Sequence, residues 1–269
     1  MILNILAFSC PLIICSIGAL FSEFAGTLAL FLEGMISFSA FLFYAYTVLT
    51  HSAIAGFLLA SLSCTLLIAI LSYVIEHFRA NKFIAAIALN LLFSALPSCL
   101  SSILFQTRGV LNSSDFSFNL FHTRVFSLIF TIVIIVMAIL FLFKTRYGLY
   151  LRITGTDASV LYANGVNPDI TRALGWISAA LYSSFAGCLL CMRISSFVPN
   201  ISSGRGWMAL AAVFLGQKKP WKILICMIIF CCADFFAANI QNYLPGIPSS
   251  VLLSFPYLIV LCLVFSNRV

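Results

Sequence analysis

Charge is what this chain has least of. Seven acidic and 14 basic residues in 269 make it 8% charged, where a soluble globular domain carries roughly 25%. That deficit excludes an ordinary water-soluble domain, and a 63% hydrophobic composition excludes a disordered chain. Catalytic signatures are missing as well. There is no GxxxxGK[ST] loop to cradle phosphates, no GxSxG elbow, no HExxH and no clustered carboxylate pair. His51, His77 and His122 stand alone at the ends of apolar runs, suited to a membrane interface rather than to a metal. No catalytic residue and no metal ligand can therefore be named. The expectation is a protein that is not an enzyme and binds no cofactor of its own. Cysteine is plentiful at ten, but every one lies in an apolar run. Cys188 and Cys191 have the spacing of a redox or metal pair, with no His or second Cys pair beside them, so packing is their expected role. The opening MILN has no basic residue, and no cleavable signal peptide is expected.

What the chain does have is long apolar runs. Nine spans cover 2–21, 26–49, 53–75, 83–105, 125–143, 172–194, 206–216, 223–238 and 251–266. A helix crosses a bilayer with about 20 residues. The expected fold class is therefore all-α, a polytopic membrane protein in contact with lipid, with about nine transmembrane spans. Two spans look broken. The seventh is too short to cross and begins at Gly204-Arg205-Gly206; the second opens at Gly26 and carries Glu33 roughly two turns in. Broken helices belong where backbone lines a cavity instead of lipid.

The excess of basic residues marks orientation better than it marks nucleic acid, which is not an expected partner. With the loop 144–171 on the cytoplasmic side, ten basic residues fall inside, and Arg108, Arg124, Arg193 and Arg205 fall outside. That ratio predicts an external N-terminus and a cytoplasmic C-terminus. A weak internal repeat relates SEFAGTLALFLEGMISFSAF to SSFVPNISSGRGWMALAAVF, five spans later. An odd offset inverts the second copy, a pattern of transport folds with the solute path between the copies. The expected organisation is one transmembrane domain over 1–269. Repeat one covers about 1–105, a linking span about 125–143, a cytoplasmic loop about 144–171 and repeat two about 172–266. Within that loop, Thr156 or Asp157 is a candidate N-cap and Gly165 a candidate left-handed C′ residue of a short helix that suits docking to a soluble protein. Glu33 and Asp234 are acids deep in spans with no obvious basic partner at their depth.

Four segments and the chain's close resemble a known family in order and spacing. They are SEFAGTLALFLEGM at 22–35, ANKFIAAIALN at 80–90, GLYLRITGTDASVLYANGVN at 148–167, FVPNISSGRGWMALAAVFLG at 197–216 and the closing LPGIPSSVLLSFPYLIVLCLVF. They resemble permease subunits of bacterial ATP-binding-cassette importers of the ribose and branched-chain amino acid type, nearest the subfamily for nucleosides. Ser22, Glu23, Gly26, Glu33, Gly34 and Met35 match that pattern, while Phe24, Ala29 and Phe31 replace its Arg, Asn and a Gly. Asn81, Asn90, Gly155, Gly165, Gly204, Arg205, Gly206, Gly216, Pro220, Gln241, Pro256 and Tyr257 also fit; Lys82 replaces a Gln, and Thr156-Asp157-Ala158 replaces a Glu-Asn-Pro.

The resemblance implies a transmembrane permease subunit of an ATP-driven nucleoside importer in the bacterial inner membrane. It implies a separate cytoplasmic ATP-binding-cassette ATPase that uses the ATP. It also implies a second permease subunit forming a heterodimer and an extracytoplasmic lipoprotein receptor. On this reading Glu33, Asn90, Gly204, Arg205, Gly206 and Gln241 belong to the substrate pathway, and Gly155, Thr156, Asp157, Tyr162 and Gly165 to ATPase coupling. The residues themselves leave alternatives. Glu33 can line a cavity, snorkel to an interface or cap a broken helix, and Asn90 can line the cavity or join two helices. Arg205 can meet an anion or only loop carbonyls. The competing reading of the whole chain is an ion-coupled secondary transporter of a small polar solute.

Overall fold

The computed structural model describes residues 2–240 together with 254, 257, 258, 261 and 262. The described residues form helices, in the order α1 (Ile2–Phe24), α2 (Leu32–Thr50), α3 (Ala53–His77), α4 (Lys82–Phe105), α5 (Leu120–Lys144), α6 (Arg146–Thr154), α7 (Ala158–Ala163), α8 (Pro168–Ile194), α9 (Arg205–Leu215) and α10 (Pro220–Ile240). Among the described residues a single backbone bridge, Leu111 to Phe197, ties the loop after α4 to the loop after α8.

Seven of the described helices are long and apolar enough to cross a membrane. The eleven residues of α9 span only about 16 Å, short of the roughly 30 Å hydrocarbon core. The last expected span, 251–266, lies largely outside the described residues, so the expected nine are neither reached nor refuted. Three helices make the centre. α1, α2 and α8 are mostly buried, while α3, α4 and α5 turn residues such as Leu62, Leu91 and Ile132 outward. An outward apolar face is what a helix needs when lipid is its solvent. Small residues let the central helices touch: a Cβ on Gly187 of α8 would collide with the Ile36 carbonyl and the Ser39 hydroxyl of α2.

Most helices start on a side-chain cap of their own. Ser52, Asn81, Asn119, Thr145, Asp157 and Asn167 each accept from a backbone N–H in the first turn that follows. Caps of this kind shift the expected boundaries. α5 starts at Leu120 instead of 125 because Asn119 caps it, and α8 starts at Pro168 instead of 172 because Asn167 caps it. The second span is shorter than expected: residues 25–31 are irregular, Gly26 takes φ +72°, and the helix starts at Leu32. Glu33 thus sits in the first turn of α2, not two turns in. The segment expected to be a loop with one short helix holds two, α6 and α7. Two helices, α2 and α9, have no side-chain cap from the residue before them, Phe31 and Gly204. Both begin inside the bundle, and their N-termini are supplied from elsewhere.

Candidate functional site

An uncapped helix N-terminus leaves backbone N–H groups pointing at nothing. In water the solvent satisfies them; inside a membrane protein a side chain must. For α9 that side chain is Glu33. Its Oε1 accepts from the Gly204 N–H at 2.6 Å and its Oε2 from the Gly206 N–H at 2.7 Å. For α2 it is Asn90 of α4, whose Oδ1 accepts from the Gly34 N–H at 2.7 Å. The chain of support runs from α4 to α2 to α9.

The two N-termini also touch. A Cβ on Gly206 would lie 2.5 Å from the Glu33 nitrogen and 2.9 Å from its Oε2, so only glycine lets the helices meet here. Each helix brings the positive end of its dipole to the junction, and the Glu33 carboxylate lies between them. Ser37 of α2 donates to Ser202 at 2.8 Å across the same seam. Gly204 takes φ +82°, and the Tyr257 hydroxyl donates to the Ser203 carbonyl at 2.9 Å beside it.

Of the two acids expected to lack a basic partner, Glu33 and Asp234, the structure corrects Asp234: its partner is Arg205. Asp234 Oδ2 lies 3.5 Å from Arg205 Nη2, and Nη1 donates to the Ile201 carbonyl at 3.0 Å. Depth along a helix could be counted from sequence. That α9 begins level with the middle of α10 could not, and this is why the pair went unseen. Glu23 meets Lys218 at 3.1 Å and joins the end of α1 to the turn after α9.

The structure thus brings Glu33, Asn90, Gly204, Arg205 and Gly206 to one place. Gln241 lies outside the described residues. Sequence reading also missed Trp176, whose Nε1 donates to the Thr27 carbonyl at 3.1 Å and holds the break between α1 and α2. The unusual Trp in a helix otherwise rich in small residues was the available signal. Below that break, Gly26, Thr27, Leu28, Asn81, Lys82 and Phe83 line a cleft of about 410 Å³. That volume is in the range of small-molecule sites.

The second cluster lies at the same end as that cleft. Asp157 caps α7: its Oδ1 accepts from the Ser159 N–H at 2.9 Å and from the Ser159 hydroxyl at 2.7 Å. Those two donors hold the Asp157 carboxyl below its ordinary value. The Thr156 hydroxyl bonds back to the Ile153 carbonyl instead of capping. At the far end the Gly165 N–H donates to Tyr162 and the Val166 N–H to Leu161, both at 3.0 Å, with Gly165 at φ +74°. That is a Schellman ending. Tyr162 and Val160 are exposed on this short helix. Gly155, just before α7, lies against the other break: a Cβ there would collide with the Phe24 carbonyl, and one on Gly26 would come to 3.1 Å of the Gly155 Cα. Backbone meets backbone with no side chain between.

The family profile described as branched-chain amino acid transport system / permease component matches residues 1–263. The nucleoside ABC transporter permease protein NupC of Lactococcus lactis subsp. cremoris is 27% identical, covering 94% of this chain and 87% of that protein. The guanosine ABC transporter permease protein NupQ of Bacillus subtilis is 24% identical with the same coverage. Among solved structures, a chain of PsaBC from Streptococcus pneumoniae in complex with Fab shares the fold at a TM-score of 0.59. It is 14% identical and covers 97% of this chain and 91% of that one.

Proposed function

The chain belongs to the branched-chain amino acid transport system / permease component family, and from that membership we propose that it forms the membrane pathway of an ATP-driven nucleoside importer. The observation that carries this reading is the meeting of two helix N-termini inside the bundle. A passage needs backbone that can open within the membrane, and the junction of α2 with α9 supplies it. The names of the relatives that match over most of the chain support nucleosides as the cargo. A ribose and base offer hydroxyls and amides, which suit the polar groups around the cleft of Thr27 and Asn81.

On this reading the two halves, 1–105 and 172–266, are inverted copies, with α1 answering α8 and α2 answering α9. Glu33, Asn90, Gly204, Arg205, Gly206 and Gln241 border the pathway. Glu33 and Asn90 serve it by holding the broken helices in place, since their acceptor oxygens are engaged with backbone. Gly155, Thr156, Asp157, Tyr162 and Gly165 form the seat of a separate ATPase on the cytoplasmic face of the inner membrane. The exposed Tyr162 and Val160 give that seat an apolar contact. The pathway is completed by a second, different permease and fed by an extracytoplasmic lipoprotein receptor. The chain itself binds no ATP and performs no catalysis.

The test is uptake of radiolabelled nucleoside by cells that carry or lack this chain. Import should require the chain and a functional Walker lysine in the ATPase, and should survive a protonophore while ATP is maintained. Uptake that collapses with the ion gradient at constant ATP would refute the ATP-driven reading in favour of an ion-coupled carrier. Orientation is tested separately. A cysteine at Ser159 in a cysteine-free background should resist an impermeant thiol reagent in intact cells, and ready labelling would overturn the inward placement of α7.

A further inference from the structure

At the end of α1 opposite Gly155, three guanidinium groups come close together. Arg193, in the last turn of α8, stacks over the Phe8 ring at 4.3 Å, and Arg205 approaches the same ring at 5.5 Å. Both Arg124 and Arg205 are near enough to repel Arg193, and the carboxylate that attracts it, Asp234, sits against Arg205. Among the described residues no ion pair or hydrogen bond holds the Arg193 guanidinium; its contact is the face of Phe8. A ring face attracts a cation but brings no counter-charge. A partly buried guanidinium between membrane helices needs an anion.

A cavity lies where that anion would go. Ala7 and Pro11 of α1, Thr123, Arg124 and Ser127 of α5, and Leu189 and Arg193 of α8 surround about 70 Å³. The hydroxyl hydrogens of Thr123 and Ser127 are spent on the carbonyls of Asn119 and Arg124, each at 2.9 Å. The strong donors this leaves on the cavity wall are the guanidinium N–H groups of Arg193, whose planar fork matches the oxygens of a phosphate.

We propose that this cavity binds a phosphate-class oxyanion: the phosphodiester of an anionic membrane lipid, or free inorganic phosphate. The surroundings favour the lipid. The cavity is set between helices that span the membrane, near their ends, and Leu6, Leu120 and Phe121 are exposed around it to receive an acyl chain. Basic pockets between transmembrane helices take lipid head groups by this chemistry. The site is separate from the Glu33 junction, and its assignment does not depend on which solute crosses the membrane.

The experiment uses the full-length permease purified in detergent, with native mass spectrometry after addition of phosphatidylglycerol or phosphatidylcholine. Wild type should retain phosphatidylglycerol preferentially. Arg193→Met should weaken that retention about tenfold or more, the scale of a lost charge-assisted bond, and Arg193→Lys, which keeps the charge without the fork, should fall between. A second arm measures thermal stabilisation of the lipid-stripped protein by inorganic phosphate over chloride. Lipid retention without phosphate stabilisation identifies the head group as the source, and the reverse identifies the free ion. If Arg193→Met does not fold, the wild-type preference and the Arg193→Lys deficit carry the test. Absence of both effects in wild type, or equal effects in the Arg193 variants, overturns the proposal. So does a variant that binds lipid and phosphate normally and loses only receptor docking, which would make the anion a protein carboxylate.

Discussion

Replacing Glu33 separates a helix-holding role from a solute-binding one. Its two oxygens each receive a backbone N–H, from Gly204 and Gly206 at 2.6 and 2.7 Å. Hydrogen bonds to a charged group contribute about 1.5–3 kcal/mol each. Glu33→Leu removes both and should destabilise the fold by about 3–6 kcal/mol. Glu33→Gln keeps one acceptor and turns an amide NH₂ toward the other backbone N–H. It loses one bond, and it also loses the charge between two helix N-termini, about 0.3–2 kcal/mol more. The sum is about 2–5 kcal/mol, several degrees of melting temperature. The protein supplies its own reporter. Cys15, Cys64, Cys188 and Cys191 are fully buried, so once the exposed or half-buried Cys99, Cys226, Cys232 and Cys262 are replaced by Ser, a thiol-reactive fluorescent dye stays dark until the bundle opens. The expected order of melting temperature is wild type, then Gln, then Leu, with uptake falling in the same order. A Glu33→Gln protein that melts with wild type while its uptake falls would refute the argument, because Glu33 would then serve the solute and not α9.

Asn90→Leu strands the Gly34 N–H and should cost about 1–3 kcal/mol, whereas Asn90→Asp keeps the acceptor and should recover most of the stability; equal melting of all three would contradict the cap. Gly165→Val meets nothing within 4 Å, so its cost is the left-handed backbone alone, about 1 kcal/mol or more; nucleoside-stimulated ATPase activity should drop, and unchanged coupling would remove α7 from the ATPase seat. The Asp157 carboxyl is held below its ordinary value, so its contribution to α7 is full above the unfolded-state value and is lost as pH falls through the lower, folded one. The protection factor of the Ser159 amide, its exchange relative to the intrinsic rate at each pH, should accordingly fall in acid in wild type, and Asp157→Asn, which caps without titrating, should lose that dependence; identical protection profiles would show that the cap is not what titrates.

The parts of this fold written locally were legible. Asp157 and Gly165 bound a short helix because a cap and a left-handed glycine act within a few residues of themselves. The breaks at Gly26 and Gly204 were visible as glycines opening spans, one too short to cross and the other carrying an acid, Glu33. α6 was not, because RYGLYLRIT is too short and too polar for a span, and Gly155 after it reads equally well as the turn that leads into α7; its one other local mark is the Thr145 cap. For Glu33 and Asn90 the sequence named the residues and left the partners open. The partners lie far along the chain, and which backbone N–H lacks a cap depends on where α2 and α9 start in space. The pairs Arg205–Asp234 and Glu23–Lys218 were hidden for the same reason.

The borrowed cap of α9 also constrains the order in which the protein can be made. A ribosome delivers the N-terminal part first. Asn90 reaches Gly34 once 56 further residues have emerged, but the backbone that receives the Glu33 carboxylate comes 171 and 173 residues after it. Through that interval Glu33 is an acid within an apolar helix without its partner, a state the membrane tolerates poorly. The nascent first half must therefore keep Glu33 at an interface, protonated or sheltered by an insertion factor, and α2 can seat fully only when α9 arrives. A chain released early, before Gly204, should be recognised as unfinished by membrane proteases, because its first half carries a charge that only its second half can satisfy.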